Sequence, residues 1–215
     1  MKNSFAFLLV LSTLSCFTLS MSATSLTLSD VWMPQHDEKF KTWITQNIAP
    51  KSGAQIEFIY KQNGLYDIEA TCYTSEKEQS IWDEIADKTA VQETAFTPYI
   101  KQPETALFKT KHSLLIQSLS GNMLVIPKNH YVTLAGFLKS ATTEEKNDLW
   151  TLWEASRHAL CKQGVVPRMT VHMGSNGAQV VPHLHCRLEL DGASIQLPQL
   201  INDLQTTYKK ALPDC

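Results

Sequence analysis

The 215-residue sequence lacks an excess of charge of either sign. It contains 19 Lys and Arg against 21 Asp and Glu, which gives a formal net charge of −2 with neutral histidines. A protein that binds nucleic acid along an extended surface carries a basic excess, because it must neutralise many phosphates. The composition therefore argues against nucleic acid as a partner, and any contact with phosphate must be local.

Long hydrophobic runs are absent except at the start of the chain. There, the basic residue Lys2 is followed by a largely apolar run over residues 5–14 and then by small or hydroxylated residues up to Ala23. This order is typical of a secretory signal peptide, and the run is too short to anchor a mature protein in a bilayer. We therefore predict a signal peptide over residues 1–23, cleavage near Ser22 or Ala23, and a periplasmic or secreted protein.

A lipid anchor on Cys16 is the alternative reading of the same segment. We favour cleavage without lipidation, because Thr13 stands where a lipidation site usually has an aliphatic residue. Loss of Lys2 with the signal peptide lowers the basic residues from 19 to 18, against 21 acidic ones. The remaining chain contains no run long enough for a membrane span, and its length suits one domain with an extension.

Cysteine pairs with the spacing of a redox or zinc motif are also absent. Four cysteines remain after the signal peptide, and none of them forms a Cys-x-x-Cys pair. In an oxidising compartment, one or two disulfides are expected, and four cysteines allow three complete pairings. The sequence does not choose among pairings of Cys72, Cys161, Cys186 and Cys215.

The first part of the chain, residues 24–101, shows secondary-structure patterns but no chemical signature. Residues 37–47 have helical spacing, and residues 54–73 alternate around an Asn-Gly turn, as in a β-hairpin. Residues 80–87 predict a short helix. We interpret this part as an N-terminal extension that packs on the main domain.

The second part, residues 102–215, is patterned more regularly. Apolar runs at residues 113–117 and 122–126 predict paired strands, and residues 168–173 predict another. Between them, a long helix is predicted over residues 143–163. Its start is a capping box, Thr142 with Glu145, and its stop is Gly164.

A strand with two histidines follows a glycine-containing loop. Residues 180–190 read VVPHLHCRLEL, and strand side chains alternate between the two faces of a sheet. The face suited to a core carries Val180, Pro182, Leu184, Cys186, Leu188 and Leu190. The opposite face carries Val181, His183, His185, Arg187 and Glu189, with successive polar side chains about 7 Å apart.

This polar row has the groups that phosphoryl chemistry requires. A neutral histidine is a nucleophile toward phosphorus when a neighbour fixes its tautomer. Arg187 supplies positive charge, and the loop at residues 174–178 can present backbone N–H groups to an anion. We therefore predict a phosphate site centred on His183 and His185.

Two segments of this sequence resemble the histidine triad (HIT) superfamily. Residues 168–185, RMTVHMGSNGAQVVPHLH, are similar to the family's strand, glycine-containing loop and histidine motif. Residues 123–130, MLVIPKNH, resemble its Leu-Val-Ile-Pro-Lys-x-His segment, and the helix between them has the expected place and length. The resemblance covers about half of the chain and implies an α+β fold with an antiparallel sheet and a long helix before the histidine strand.

The resemblance also implies an activity and a set of site residues. Family members are nucleotide hydrolases or transferases that form a nucleotidyl-histidine intermediate. They are often dimers, so the resemblance implies a homodimer. It implies no cofactor. By position, His185 matches the nucleophile and His183 the first histidine of the triad. The residues expected around the nucleotide or other phosphoanhydride are Gln179, Gly177, Ala178, His172, Lys128 and His130.

This chain departs from the family pattern at four polar positions. Arg187 replaces the third histidine and cannot donate a proton to a leaving group, which favours transfer over hydrolysis. The uridylyltransferase branch also lacks that histidine. His172 stands in place of an asparagine, Val180 in place of a hydroxyl residue, and Asn122 in place of a histidine. The divergent CDP-diacylglycerol pyrophosphatase branch shows that such sites can act on other phosphoanhydrides.

Two other hypotheses stay open from the sequence. His183 and His185 could chelate a metal ion, with His172 or His130 as a third ligand, although Arg187 would repel the cation. Alternatively, the domain is a catalytically inactive HIT-like module that binds a ligand in the same cleft.

Overall fold

The computed structural model describes residues 22–61, 64–74, 94–174 and 179–211. Residues 1–21 of the predicted signal peptide, the predicted helix at residues 80–87 and most of the glycine-containing loop fall outside these ranges, whereas residues 22–23 belong to the first strand. Within them, no helix combines the length and apolar character that crossing a membrane requires.

Eight strands form one antiparallel sheet in the described residues. They are β1 (Ser22–Val31), β2 (Gly53–Tyr60), β3 (Tyr66–Thr74), β4 (Phe108–Lys109), β5 (Ser113–Gln117), β6 (Met123–Pro127), β7 (Arg168–Met173) and β8 (Cys186–Glu189). Their order across the sheet is β1-β3-β2-β7-β8-β6-β5-β4. The predicted strands at residues 113–117 and 168–173 are confirmed, and the predicted α+β class with an antiparallel sheet is confirmed as well.

Five α-helices accompany the sheet in the described part of the chain. They are α1 (Glu38–Trp43), continued by a π-helical turn at Ile44–Ile48, α2 (Thr97–Lys101), α3 (Leu134–Ser140), α4 (Thr143–Lys162) and α5 (Leu197–Ala211), with a 3₁₀ turn at Pro103–Thr105. The predicted capping box starts α4, since the Thr142 hydroxyl accepts from the Glu145 N–H while Glu145 accepts from the Thr142 N–H.

The N-terminal extension belongs to the same sheet as the rest of the chain. The predicted hairpin forms β2 and β3, and β1 pairs with β3 on its outer side. On its inner side, β2 pairs with β7 from Ala54 opposite Met173 to Phe58 opposite Met169. Strand pairing therefore joins residues 24–101 to residues 102–215, which the sequence pattern had predicted to be an extension and a separate domain.

Apolar clusters cover both faces of the sheet. The larger one lies on the face packed by α4 and includes Trp153, Leu152 and the strand residues Leu115 and Val125. The smaller one lies on the opposite face, where Phe96 covers β5 and β6. Because β6 is covered on both sides, every residue of Met123–Pro127 is buried, which explains the continuous apolar run in the sequence.

The cysteines that the structure describes do not pair. Cys72, Cys161 and Cys186 are free thiols, and Cys72 and Cys186 are buried in the core. The predicted disulfides are therefore wrong for these three residues, and Cys215 falls outside the described residues. Burial raises the pKa of the Cys72 and Cys186 thiols, which keeps them protonated.

Candidate active site

The two histidines lie just before a strand rather than within one. The predicted strand over residues 180–190 is wrong in extent, since β8 covers only Cys186–Glu189. Its pairing with β7 ends at Val171 opposite Cys186. Residues 179–185 run as bends and irregular chain, in keeping with the restriction that Pro182 places on a ladder.

His183 and His185 are buried, whereas side chains on a solvent-exposed strand face would be accessible to water. Their exposed fractions are 1% and 3%. Leu184 and Cys186 pack into the larger cluster on the α4 face of the sheet, while both imidazoles contact Phe96 on the opposite face. Val180 departs from the predicted alternation, because it is 84% exposed rather than part of the core.

One hydrogen bond fixes the tautomer of His183. Its Nε2 lies 2.9 Å from the Pro127 carbonyl oxygen, which can only accept, so Nε2 carries the hydrogen. The ring also lies edge-on to His130, with centroids 5.0 Å apart. Burial, together with the neighbouring His130, lowers the pKa of His183 to about 4, although the Pro127 carbonyl opposes the shift. His183 is therefore neutral at pH 7.

His185 is held in the complementary tautomer. Its Nδ1 lies 2.8 Å from the His183 carbonyl oxygen and so carries the hydrogen, which leaves the lone pair on Nε2. No hydrogen bond from another described residue reaches that Nε2. Burial lowers the pKa of His185 to about 4, and the Arg187 charge adds to the shift. The ring is thus a neutral, oriented imidazole whose basic Nε2 accepts no hydrogen bond from the described part of the chain.

Three contacts hold the histidine segment against the end of β6 and the residues that follow it. The Pro127 carbonyl accepts from the His183 ring, the Tyr131 carbonyl accepts from the Leu184 N–H, and the Val132 carbonyl accepts from the Gln179 amide. The end of β6 and the loop after it therefore form the wall against which the histidine segment lies.

Glu145, the buried capping residue of α4, holds that wall in place. Its Oε1 accepts from the Asn129 amide and from the Tyr131 hydroxyl, at 2.5 and 3.0 Å, on either side of His130. Burial opposes ionisation of Glu145, but the hydrogen bonds from Thr142, Asn129 and Tyr131 outweigh it and lower its pKa to about 2. The sequence identified Glu145 only as a cap.

Gln179 closes the glycine-containing loop instead of facing an open site. Its side-chain oxygen accepts from the Gly174 N–H, and its amide donates to the Val132 and Val181 carbonyls. Both amide hydrogens are committed to the chain, so a contact with phosphate would require one of these bonds to break. Its predicted role on phosphate stays a prediction.

The start of that loop requires glycine. Gly174 has φ +68°, and a Cβ there would collide with the Ser52 carbonyl oxygen and the Gly53 backbone at the start of β2. The N-terminal extension thus sets the position from which the loop leaves β7. Gly177 and Ala178, the predicted anion-binding residues, fall outside the described residues.

Lys128 and His130 occupy different surroundings although they are two residues apart. The Lys128 ammonium donates to the carbonyls of Thr110 and Lys111, in the turn before β5. His130 lies against His183, and burial lowers its pKa. The structure therefore brings His130 against His183 and directs Lys128 to the turn.

Arg187 lies on β8, two residues after His185, with its side chain half-buried. Its Nε is buried and has no hydrogen-bond partner among the described residues. Its backbone is fixed by pairing with Thr170 and Leu124, and its carbonyl accepts from the Trp153 indole N–H at 3.1 Å. Burial lowers the pKa of Arg187 and the Glu189 charge opposes the shift, yet a guanidinium stays protonated in proteins.

His172 and Glu189 form a polar group beside Arg187. Glu189 accepts from the Thr170 hydroxyl at 2.8 Å and from Arg168 at 3.1 Å, and its Oε1 lies 3.8 Å from the His172 Nε2. His172 also contributes to the lowered pKa of His185.

Phe96 contacts both histidines, and no sequence pattern identified it. Its ring centroid lies 5.6 Å from that of His183 and 5.4 Å from that of His185, in edge-on geometry. It precedes α2 in the segment assigned to the extension, and no chemical motif surrounds it in the sequence. The fold brings Phe96 over the two histidines, where its ring shields them from water.

A metal centre is not evident in the part of the chain that the structure describes. No three His, Cys, Asp or Glu side chains there are placed to hold a metal ion. In addition, the Nε2 of His183 and the Nδ1 of His185 are both bonded to carbonyl oxygens and carry hydrogens, which leaves one lone pair per ring.

A solved structure of low sequence identity matches part of this chain. No family model matches the chain, and no curated protein matches it. Among solved structures, a Hit-like protein from Bartonella henselae, described as involved in cell-cycle regulation and as containing an unknown ligand, matches with 18% identity and a TM-score of 0.36. The match covers 56% of this chain and 96% of that chain. At this TM-score the likeness carries no argument about fold or function.

Proposed function

We propose that this protein is a nucleotide hydrolase or nucleotidyl transferase of the HIT type that acts through His185. The observation that carries the proposal is the state of the His185 ring, which is neutral, bonded at Nδ1 to the His183 carbonyl and free at Nε2 of bonds from described residues. A nucleophilic histidine needs this arrangement, because the bonded nitrogen fixes the ring while the other presents its lone pair.

The proposed reaction begins with attack of His185 Nε2 on the α-phosphorus of a nucleotide. A P–N bond forms, and the bond from phosphorus to the leaving group breaks. The positive charge that develops on the ring is stabilised by the His183 carbonyl, which still accepts from Nδ1. Water then releases the nucleotide in a hydrolase, or an acceptor hydroxyl does so in a transferase.

The phosphate oxygens need positive charge and N–H donors during this step. Arg187 supplies the charge, and its buried Nε is an unused donor among the described residues. Backbone N–H groups of Gly177 and Ala178 complete the predicted cradle, and Gln179 closes the loop that carries them. Phe96 shields the site, which strengthens these electrostatic interactions.

The experiment is an activity screen on the purified chain with its fold intact. The substrates are a dinucleoside polyphosphate, adenosine 5′-phosphoramidate and a CDP-lipid, with intact-protein mass spectrometry to detect a nucleotidyl adduct. We expect an adduct and turnover with at least one substrate, and a loss of about 10³-fold or more in His185→Asn.

His158→Asn is the matched control, because His158 is an exposed histidine of α4 and lies outside the site. It should leave turnover unchanged. Absence of turnover and adduct with all three substrates would favour a ligand-binding domain without catalysis. Unchanged turnover in His185→Asn would assign the chemistry to another residue.

A further inference from the structure

The groups around His185 differ in whether they can give up a proton. His183 and His130 are both neutral at pH 7, because burial lowers the pKa of each. The one hydrogen of the His183 ring is already donated to the Pro127 carbonyl. A neutral imidazole N–H is a very weak acid, so neither ring can protonate a leaving group at pH 7.

Arg187 is placed to stabilise negative charge and not to neutralise it by proton transfer. It lies on β8 two residues after His185, and its buried Nε has no hydrogen-bond partner among the described residues. Strand pairing on both sides of β8 and the Trp153 contact fix its backbone. A guanidinium remains charged throughout a reaction and offers several N–H donors to an oxyanion.

We propose that Arg187 restricts the site to substrates whose leaving group departs as an oxyanion, so that the substrate class is the nucleoside phosphoanhydride and not the phosphoramidate. This inference rests on the proposed function, since it concerns the bond that His185 breaks.

With a phosphoanhydride, the step balances without an acid. The Nε2 lone pair of His185 forms the P–N bond, and the electron pair of the P–O bond leaves on the bridging oxygen of a phosphate. That oxyanion is held by Arg187. Water later attacks the phosphorus and the electron pair of the P–N bond returns to Nε2. The water proton passes to the departed phosphate or to solvent.

With a phosphoramidate, the same step does not balance. The electron pair of the P–N bond would leave on nitrogen, and an amine departs only when it receives a proton. Arg187 cannot provide that proton. General acid catalysis typically contributes about 10²- to 10⁴-fold, so without a proton from the residue at position 187 the two substrate classes should differ by about 100-fold or more.

The test compares two substrates with the same adenylyl group, diadenosine triphosphate and adenosine 5′-phosphoramidate, by kcat/KM at pH 6 to 7. We expect the wild type to prefer the anhydride by about 100-fold or more. Arg187→His introduces a group that can be protonated, so it should raise phosphoramidate turnover and shrink the preference by at least about 10-fold. Arg187→Lys retains the charge and should retain the preference.

Arg157→His is the matched control, because Arg157 lies on α4, where it stacks over the Tyr60 ring and pairs with Glu154. It should leave the preference unchanged, and circular dichroism should show that all variants are folded. A wild type that cleaves both substrates at similar rates would overturn the inference, as would an Arg187→His variant with the wild-type preference.

The two proposals fail in distinguishable ways. If phosphoramidate turnover in the wild type disappears in His172→Asn, His172 supplies the proton, and the inference about Arg187 is wrong while His185 remains the nucleophile. If no nucleotidyl adduct forms with either substrate and neither is cleaved, the proposed function itself is wrong and the inference falls with it.

Discussion

At the scale of single residues, burial of His183 and His185 makes the stability of the protein depend on pH. The pKa of each ring falls from an ordinary value of 6.5 to about 4 in the folded chain. Between these values, the unfolded chain binds more protons than the folded one. The stabilisation is therefore complete above pH 6.5 and is lost as the pH falls toward 4.

We predict that the free energy of unfolding decreases between pH 6.5 and pH 4, by at most on the order of 3 kcal/mol per ring. Urea denaturation at several pH values would measure it. His183→Asn and His185→Asn should each flatten this dependence, whereas His158→Asn, at an exposed position of α4, should leave it unchanged. Equal slopes in the wild type and both buried-site variants would contradict the assignment.

The sequence identified these two histidines but not their surroundings. Spacing alone predicted an exposed polar row, because alternation is the only information that a strand pattern contains. Burial of the rings depends on Phe96 and on the Pro127 carbonyl, which come from other parts of the chain. Contacts across such separations leave no local pattern in the sequence.

At the scale of elements, α4 couples its own start to the candidate site through Glu145. The capping box could be predicted, because Thr and Glu three residues apart before a helical pattern are a local signal. The bonds from Asn129 and Tyr131 to the same carboxylate could not, because they depend on how α4 packs beside β6.

We predict that Glu145→Ala lowers the free energy of unfolding by about 2–4 kcal/mol, since it removes a helix cap and the acceptor for two other side chains. Glu144→Ala is the matched control. Glu144 is 70% exposed and pairs with Lys111 at the surface, so its loss should cost less than about 1 kcal/mol.

Denaturant titration of both variants gives this comparison. The NMR signals of His130, which lies between Asn129 and Tyr131, should also shift in Glu145→Ala and not in Glu144→Ala. A loss of stability without any change at His130 would limit Glu145 to helix capping.

At the scale of the whole molecule, the N-terminal strands are part of the core that supports the site. Phe58 of β2 packs against α4, with ring centroids 5.1 Å from Trp153 and 5.7 Å from Trp150. Trp153 in turn donates to the Arg187 carbonyl. The sequence predicted the hairpin itself, but the partner of a strand edge is not encoded in the strand's own pattern.

We predict that Phe58→Ala lowers the free energy of unfolding by about 3–5 kcal/mol, because it opens a cavity among aromatic rings. Ile59→Ala is the matched control, since Ile59 is the next residue of β2 and is 38% exposed. Its substitution should cost less than about 1 kcal/mol. Similar losses in the two variants, measured by chemical denaturation, would indicate that β2 adds little to the core.

The register between β2 and β7 has a consequence for biosynthesis. Glu57 and Arg168, which bond across that edge, are 111 positions apart in the chain. The hairpin of β2 and β3 therefore leaves the ribosome long before β7 exists, and its inner edge stays open to other chains during that interval. Folding of this protein is expected to be slow for its size, with a window in which a holdase chaperone would raise the yield of native chains.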